Sequence, residues 1–379
     1  MLSRRQAISG TASLLGAVAA DAFAFDRAGA DPADTAHSLL RYNLELAPPL
    51  RSHSRVSGIK YGCAGAAPSV QPDHILLEKF AVEANLFSPE GALKWNQTEP
   101  QPGVFDFSEG DSIVDFATRN NMLVNGHTLV WYAAIPPWVS QLTTARNAEL
   151  ALERHIGNEV SRYRGKIWAW DVVNEAIEPN DRLENDYRNS VWLRCLGVDY
   201  IDLSFRLARA ADPTTPLALS EYGIEYTTTE SKHRRKALLA LLQRLHDQNT
   251  PVDCLALQSH LVADQVFDRG GLTTFLRDVV QLGYRLLVTE LDVNDVRIRG
   301  TEEERDAAVA RHLGEYLDIL FSVARPLSIT TWGLSDRYTW LRQYNKRADG
   351  SPLRPLPLDA NFNRKSMWAL LARYMAALG

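Results

Sequence analysis

The stretch Trp170-Asp171-Val172-Val173-Asn174-Glu175-Ala176 decides the fold. An apolar run ends here on an Asn-Glu pair, which predicts a buried β-strand with Asn174 and Glu175 at its open end. A second apolar run, Tyr284–Asp292, ends in the same way around Glu290. A carboxylate beside an amide at the mouth of a strand is suited to proton transfer to a hydroxyl-rich ligand.

The same pattern recurs along the chain. Short apolar runs that end in polar residues predict eight strands: Ile59–Gly62, Ala84–Phe87, Leu123–His127, Ile167–Asn174, Leu217–Glu221, Cys254–His260, Arg285–Asp292 and Ser328–Trp332. Helical periodicity appears between them: Asp111–Asn120, Ala148–Tyr163, Tyr200–Ala211, Ser231–Gln248, Leu272–Leu282 and Thr301–Ala324. Eight strands alternating with helices predict an α/β fold, a (β/α)8 TIM barrel, rather than an open sheet. No glycine-rich phosphate loop follows any strand, which argues against dinucleotide binding.

Composition excludes several classes of partner. The chain has 379 residues, of which 45% are hydrophobic, enough for one large core. Its net charge of −5 is interspersed rather than blocked, which argues against a nucleic-acid groove or a polybasic membrane patch. The three cysteines, Cys63, Cys195 and Cys254, have no paired spacing, so we expect neither a disulfide nor a zinc site.

The N-terminus is typical of an export signal. Arg4-Arg5 precedes a short apolar segment, so residues 1–24 are predicted to be a twin-arginine-type signal peptide with cleavage near Ala24 or Ala19. Residues 25–57 are predicted to be an N-terminal extension with one helix around Thr35–Leu46, and residues 58–379 to be the catalytic domain. No other segment is apolar for long enough to span a bilayer. We therefore expect an exported protein, periplasmic or secreted, without a membrane anchor.

Chemically reactive side chains end the predicted strands. They are Glu90, His127, Asn174, Glu175, Glu221, Gln258, His260, Glu290, Asp292 and Trp332. In a (β/α)8 barrel the active site lies at the carboxyl ends of the strands, so we expect these side chains to converge. Two glutamates on two strand ends are the minimal set for cleaving a glycosidic bond.

The motifs carry a family resemblance. They are Lys94-Trp95 with Glu99-Pro100, Gly126–Trp131, Trp170–Ala176, Gln258–Leu261, Thr289–Asp292 and Thr331–Asp336 with Trp340. In this order they resemble glycoside hydrolase family 10, the retaining endo-β-1,4-xylanases, over about residues 58–375. The resemblance implies that Glu175 is the general acid/base and Glu290 the nucleophile. Glu175 must then hold a proton at the first step while Glu290 is charged, with the carboxyl groups about 5–5.5 Å apart.

The resemblance also assigns roles to the side chains around this pair. It implies that His260, held by Asp292, supports the nucleophile, and that Asn174 contacts the sugar 2-hydroxyl. It places substrate-binding side chains on both sides of the scissile bond: Glu90, Lys94, His127, Trp131, Gln258, Trp332 and Trp340 around the −1 and −2 sugars, and Tyr222 on the leaving-group side. No cofactor is implied, because carboxylates alone carry out this chemistry. A metal site built from His127, His260, Glu290 and Asp292 is the competing interpretation, and it lacks metal-ligand spacing.

The chain departs from the family where the −2 sugar is recognised. Gly91 stands where an asparagine is usual, and Tyr132-Ala133-Ala134 replaces His-Ser-Gln. Ser220–Gly223 replaces Asn-Asp-Tyr-Asn. We therefore predict a monomeric endo-glycosidase that acts on xylan but reads the −2 sugar differently and accepts substituted or different β-linked glycans. The alternatives are a β-1,4-glucanase or mixed β-glycanase on the same scaffold, and a non-catalytic carbohydrate-binding protein, which would be expected to lack one carboxylate.

Overall fold

The structure is a computed structural model that describes residue 44 and residues 46–376. The predicted signal peptide, and nearly all of the helix predicted at Thr35–Leu46, lie outside these residues. Within the described part of the chain, no helix is both long and apolar enough to cross a membrane.

A closed parallel sheet forms the centre of the molecule. Its strands are β1 (Lys60–Gly65), β2 (Leu86–Pro89), β3 (Leu123–Val130), β4 (Ala169–Asn174), β5 (Leu217–Glu221), β6 (Cys254–Leu257), β7 (His260–Val262), β8 (Arg285–Asn294) and β9 (Ser328–Thr331). Each of β1 to β5 pairs with the next strand along the chain, β9 pairs with β1 and β8, and β6 pairs with β8 to close the ring. The predicted (β/α)8 TIM barrel is confirmed.

Helices surround the barrel. They are α1 (Leu50–Ser57), α2 (His74–Glu83), α3 (Trp95–Thr98), α4 (Ser108–Arg119), α5 (Pro137–Ser140), α6 (Ala145–Arg162), α7 (Val191–Leu196), α8 (Asp199–Ala211), α9 (Thr229–Asp247), α10 (Arg269–Gln281), α11 (Glu302–Phe321) and α12 (Ser366–Ala376). The six predicted helices correspond to α4, α6, α8, α9, α10 and α11, with ends moved by a few residues. The start of α11 is set by a capping box between Thr301 and Glu304. Periodicity missed α12 because most of its residues are buried, which leaves no polar stripe.

The sixth predicted strand differs from the structure. The run Cys254–His260 was expected to be continuous, but it is divided into β6 and β7. Ser259 adopts a left-handed backbone with φ of 61°, which interrupts the extended conformation. As a result, β7 pairs with β8 in the register that sets His260 opposite Asp292.

A buried carboxylate ties the first described helix to the last one. Glu83 Oε2 accepts hydrogen bonds from the Leu50 main-chain N–H and from Trp368 Nε1, both at 3.0 Å. Its Oε1 accepts from Arg364 Nε at 2.8 Å. Glu83 therefore joins the start of α1 to α12 across the outside of the barrel.

Replacement of Glu83 tests whether these hydrogen bonds stabilise the fold. The Glu83→Gln change removes the buried charge that pairs with the partly buried Arg364 guanidinium, so we expect the free energy of unfolding to fall by about 3 kcal/mol. The exposed Glu78 on the same helix provides the control, and Glu78→Gln should change stability by less than about 0.5 kcal/mol. Urea unfolding followed by circular dichroism measures both. Equal stability of the two variants would show that Glu83 does not stabilise the packing of α1 against α12.

Candidate active site

Glu175 follows β4 and is held by two neutral amides. Its Oε1 accepts hydrogen bonds from Gln258 Nε2 at 3.1 Å and from Asn174 Nδ2 at 3.3 Å. Gln258 Nε2 also donates to Asn174 Oδ1 at 3.0 Å, so the two amides are locked to each other. The side chain of Glu175 remains 13% exposed. Oε2, the other oxygen, accepts no hydrogen bond from any described residue and is available for proton transfer.

Glu290 lies in β8 beside two histidines and near Lys94. His260 Nε2 is 3.4 Å from Glu290 Oε2, and His127 Nδ1 is 3.9 Å from Glu290 Oε1. Burial raises the pKa of Glu290, but His127, His260 and Lys94 outweigh it and leave the pKa below its usual value. Oε1 is buried and accepts no hydrogen bond within the described residues. Glu290 is therefore a charged carboxylate with one uncommitted oxygen.

His260 lies between two carboxylates. Its Nδ1 is 3.1 Å from Asp292 Oδ1, and its Nε2 faces Glu290. Burial lowers the pKa of His260, but Asp292 and Glu290 together raise it to about 10. Trp340 completes the group, because its Nε1 donates to Asp292 Oδ2 at 2.7 Å and its ring lies 5.1 Å from the imidazole.

His127 is oriented by a carboxylate in the neighbouring strand. Its Nδ1 is 3.0 Å from Asp171 Oδ2, which also accepts a hydrogen bond from Asn125 Nδ2 at 2.9 Å. Trp332 packs edge-to-face on the imidazole with the ring centroids 5.1 Å apart. We did not single out Asp171 from the sequence. A charged residue inside an apolar strand was the available signal, because such a group needs a buried partner.

Lys94 connects the two glutamates electrostatically. Burial lowers the pKa of Lys94, and the charges of Glu290, Glu175 and Glu90 oppose that shift. Its Nζ lies 4.7 Å from the centre of the Trp131 ring. Burial raises the pKa of Glu90 to about 6, against the effect of Lys94. The predicted glycone-side residues thus surround the same space as the two carboxylates.

The space beside Gly91 is open. A β-carbon built on Gly91 would meet no atom within 4 Å, and its φ lies outside the left-handed region. Ala134, in contrast, has a left-handed φ of 47°, and its carbonyl accepts a hydrogen bond from the Asn96 N–H at 2.9 Å. Two of the three departures from the family pattern, at Gly91 and at Ala134, therefore adjoin the Lys94 segment.

A comparison with known families decides where the chain belongs. The model of glycosyl hydrolase family 10 matches residues 49–374. The chain belongs to this family. It is 34% identical over 293 residues to endo-1,4-beta-xylanase 1 of Humicola insolens. This match covers 76% of this chain and 64% of that protein. It is also 34% identical over 282 residues to endo-1,4-beta-xylanase A of Phanerodontia chrysosporium, covering 73% of this chain and 64% of that protein. The matches thus span just under two thirds of these relatives.

Solved structures show the same relationship. The native xylanase 10B of Thermotoga maritima superposes with a TM-score of 0.77 at 28% identity, covering 87% of this chain and 98% of that one. The xylanase 10B of Thermotoga petrophila in complex with xylobiose gives a TM-score of 0.76 at 28% identity, covering 86% and 98%.

A charged cluster lies beside Glu175 in this barrel, and its members Arg188, Glu178 and Arg234 were not predicted from the sequence. Arg188 donates to Glu178 Oε2 at 3.2 Å and to Tyr222 Oη at 3.0 Å. Tyr222 Oη in turn donates to Glu178 Oε2 at 2.9 Å, and Arg234 contacts the same carboxylate. Tyr222 therefore reaches Glu175 through Arg188 rather than directly. Arg188, Glu178 and Tyr222 come from loops, which leave no periodic signal in the sequence, and Arg234 reaches them from α9.

Glu221, one of the polar strand ends, is turned into the protein. It is fully buried, and its Oε1 accepts a hydrogen bond from the Ile177 N–H at 2.8 Å. Burial raises the pKa of Glu221 to about 8, although Arg234 opposes the shift. This carboxyl group therefore lies behind the site and is not exposed to a substrate.

The described residues contain no clustered metal ligands and no disulfide. Across residue 44 and residues 46–376, no three His, Cys, Asp or Glu side chains form a group that could hold a metal ion. Cys63 and Cys254 are buried and Cys195 is partly buried, all three as free thiols.

Proposed function

We propose that the protein is an endo-β-1,4-xylanase that cleaves xylan with retention of anomeric configuration. The observation that carries this proposal is the contrast between the two glutamates. His127, His260 and Lys94 lower the pKa of Glu290. Glu175 instead accepts hydrogen bonds from two neutral amides, and its nearest cation, Arg188, is 3.8 Å from the other carboxyl oxygen. A nucleophile and a proton donor need different environments.

The proposed reaction has two displacements. In the first, Glu290 attacks the anomeric carbon, the glycosidic C–O bond breaks, and Glu175 gives its proton to the leaving oxygen. In the second, Glu175 removes a proton from water, which attacks the same carbon and releases Glu290. The amide of Asn174 is suited to a hydrogen bond with the sugar 2-hydroxyl. Trp332 and Trp340 are suited to form the apolar walls of the −1 site.

The relatives support xylan as the substrate. Those named above are called xylanases, and one solved neighbour holds xylobiose. Product analysis on a panel of xylans and β-glucans tests the assignment, with anomeric configuration followed by NMR. We expect β-configured xylo-oligosaccharides as the first products. Initial α-anomers would exclude retention, and preferential cleavage of a β-glucan would favour the β-1,4-glucanase alternative.

The open space at Gly91 supports altered recognition of the −2 sugar. A hydrogen bond to a sugar hydroxyl is worth about 1 kcal/mol, so a missing side chain weakens binding about fivefold. We expect Gly91→Asn to lower KM for linear xylotriose about fivefold with kcat nearly unchanged, because the new side chain meets open space. Steady-state kinetics on xylotriose and xylohexaose measure this.

Gly157 offers a matched control for Gly91. It lies in α6, and a β-carbon there also meets no atom within 4 Å. Gly157→Asn should leave both KM and kcat unchanged. If Gly91→Asn behaves in the same way, the −2 sugar does not contact this position.

The cations around Glu290 predict a pH dependence. Because the folded pKa of Glu290 is depressed, the active ionised form persists as the pH falls below the usual range for glutamate. His260→Gln removes one of these charges, so the pKa of Glu290 rises and the acidic limb of kcat/KM moves to higher pH. The kcat/KM profile between pH 3 and pH 7 measures the shift. An unmoved acidic limb would mean that His260 does not govern this ionisation.

We also propose that residues 1–24 direct export through the twin-arginine route and that the mature protein is a monomer. Replacing Arg4-Arg5 with two lysines should retain the precursor in the cytoplasm, as detected by fractionation and mass spectrometry of the N-terminus. Light scattering determines the oligomeric state.

A further inference from the structure

Arg188 returns to the mouth of β4 although it lies 13 residues after Glu175. The connecting loop folds back on itself through an antiparallel bridge between Ile177 and Tyr187, and the Arg188 N–H donates to the Ala176 carbonyl at 2.8 Å. The guanidinium is buried, with only 8% of the side chain exposed. Its Nε donates to the main-chain carbonyl of Glu175 at 2.6 Å, and its Nη2 is 3.8 Å from Glu175 Oε2.

The backbone of Glu175 needs this support. Its φ of 59° lies in the left-handed region, which is unfavourable for a residue with a β-carbon. The Glu175 N–H donates to the Ser220 carbonyl at 2.9 Å, and its own carbonyl accepts from Arg188. Both main-chain polar groups are thus held, one by the neighbouring strand and one by the arginine. Because this backbone conformation sets the direction of the side chain, losing either contact lets the carboxyl group turn away.

Arg188 is anchored independently of Glu175. Its Nη2 donates to Glu178 and Tyr222, and its guanidinium stacks on the Tyr132 ring at 4.0 Å from the centroid. Glu178 supplies the balancing charge, and Arg234 pairs with it at 3.3 Å. A planar guanidinium makes these contacts together, whereas a lysine ammonium lacks both the fork and the stacking face.

We propose that Arg188 is a positioning residue for Glu175 in both proton transfers, an inference that rests on the proposed function. Its Nε holds the left-handed backbone of Glu175 so that Oε2 faces the scissile oxygen. Its charge also stabilises the carboxylate that forms when Glu175 gives up its proton. Arg188 itself transfers no proton.

The experiment compares substrates that do and do not require an acid. In Arg188→Met we expect kcat/KM on xylohexaose to fall about 100-fold. On 2,4-dinitrophenyl β-xylobioside, whose leaving group needs no proton, kcat/KM should change less than about threefold. On this substrate kcat should fall, because water still needs the base, and added azide should restore it. Arg188→Lys should show a smaller version of the same pattern.

Two further variants make the result decisive. Arg182→Met, an exposed arginine in the same loop, should behave like the wild type on both substrates. Glu175→Ala is the reference for complete loss of acid/base function. The positioning role would be overturned if Arg188→Lys and Arg188→Met both lost kcat/KM equally on the two substrates and azide did not restore kcat. This conclusion requires that Glu175→Ala still shows its expected dependence on the leaving group. If Glu175→Ala itself lacked that pattern, the proposed function would be the part that fails.

Discussion

Glu290→Ala is expected to lower kcat/KM on xylohexaose by on the order of 10⁵-fold, the largest effect of any substitution proposed for this chain. The reason is that in the proposed mechanism Glu290 forms the covalent bond to the sugar. His260 and His127 face its two oxygens, and neither is placed to replace a carboxylate nucleophile.

Azide distinguishes a lost nucleophile from a damaged site. The alanine variant leaves room beside the anomeric carbon, so azide attacks from the face that Glu290 occupied. With 2,4-dinitrophenyl β-xylobioside the product should be the α-xylobiosyl azide, identified by NMR. Asp264, an ion-paired acid on the rim, provides the control, and Asp264→Ala should retain activity within about twofold. Wild-type activity in Glu290→Ala would rule out the proposed mechanism.

Glu175→Ala should show the second largest effect, and its size should depend on the leaving group. On xylohexaose we expect kcat/KM to fall about 10³-fold, because the departing sugar needs a proton. On 2,4-dinitrophenyl β-xylobioside kcat/KM should change less than about threefold, while kcat falls because deglycosylation has lost its base. Azide should restore this kcat and give the β-xylobiosyl azide, with configuration retained. Asn174 and Gln258 remain in this variant, so sugar binding should persist.

The opposite configurations of the two azide products form a joint test. Azide replaces the nucleophile in one variant and the second-step water in the other, so it arrives from opposite faces of the sugar. The same anomer from both variants would show that the roles of Glu175 and Glu290 are assigned wrongly. Glu175→Gln and Glu290→Gln, which keep the side-chain volume, serve as controls for cavity effects.

Local hydrophobic patterns in the sequence predicted much of the fold. The strand run Leu217–Glu221 agrees with the structure at both ends, and the barrel follows from eight such runs alternating with helices. This worked because a strand buried on both faces has to be apolar along its length until it reaches the polar rim. The division of Cys254–His260 was not visible, because a left-handed serine leaves no mark in an apolar pattern.

Contacts between distant segments were harder to predict. Asp171 orients His127 from 44 positions away, and Glu83 reaches Trp368 across 285 positions. Such pairs depend on how strands and helices stack, and residues of many types at many separations could meet in this way. Arg188 illustrates the same difficulty within one loop, since only the folded path of residues 176–188 brings it back to Glu175.

The sequence by itself therefore determined the barrel and the residues that stand at its strand ends. Hydrophobic patterning and short motifs are local properties that can be read without knowing any long-range contact. Only the tertiary structure decided the electrostatic difference between the two glutamates. His127 of β3, His260 of β7 and Lys94 lower the pKa of Glu290. Glu175 accepts hydrogen bonds from amides of β4 and of the segment between β6 and β7, with Arg188 3.8 Å from its other oxygen. The surroundings of each carboxyl group depend on distances of a few ångströms between separate strands, and these distances exist only after the barrel closes.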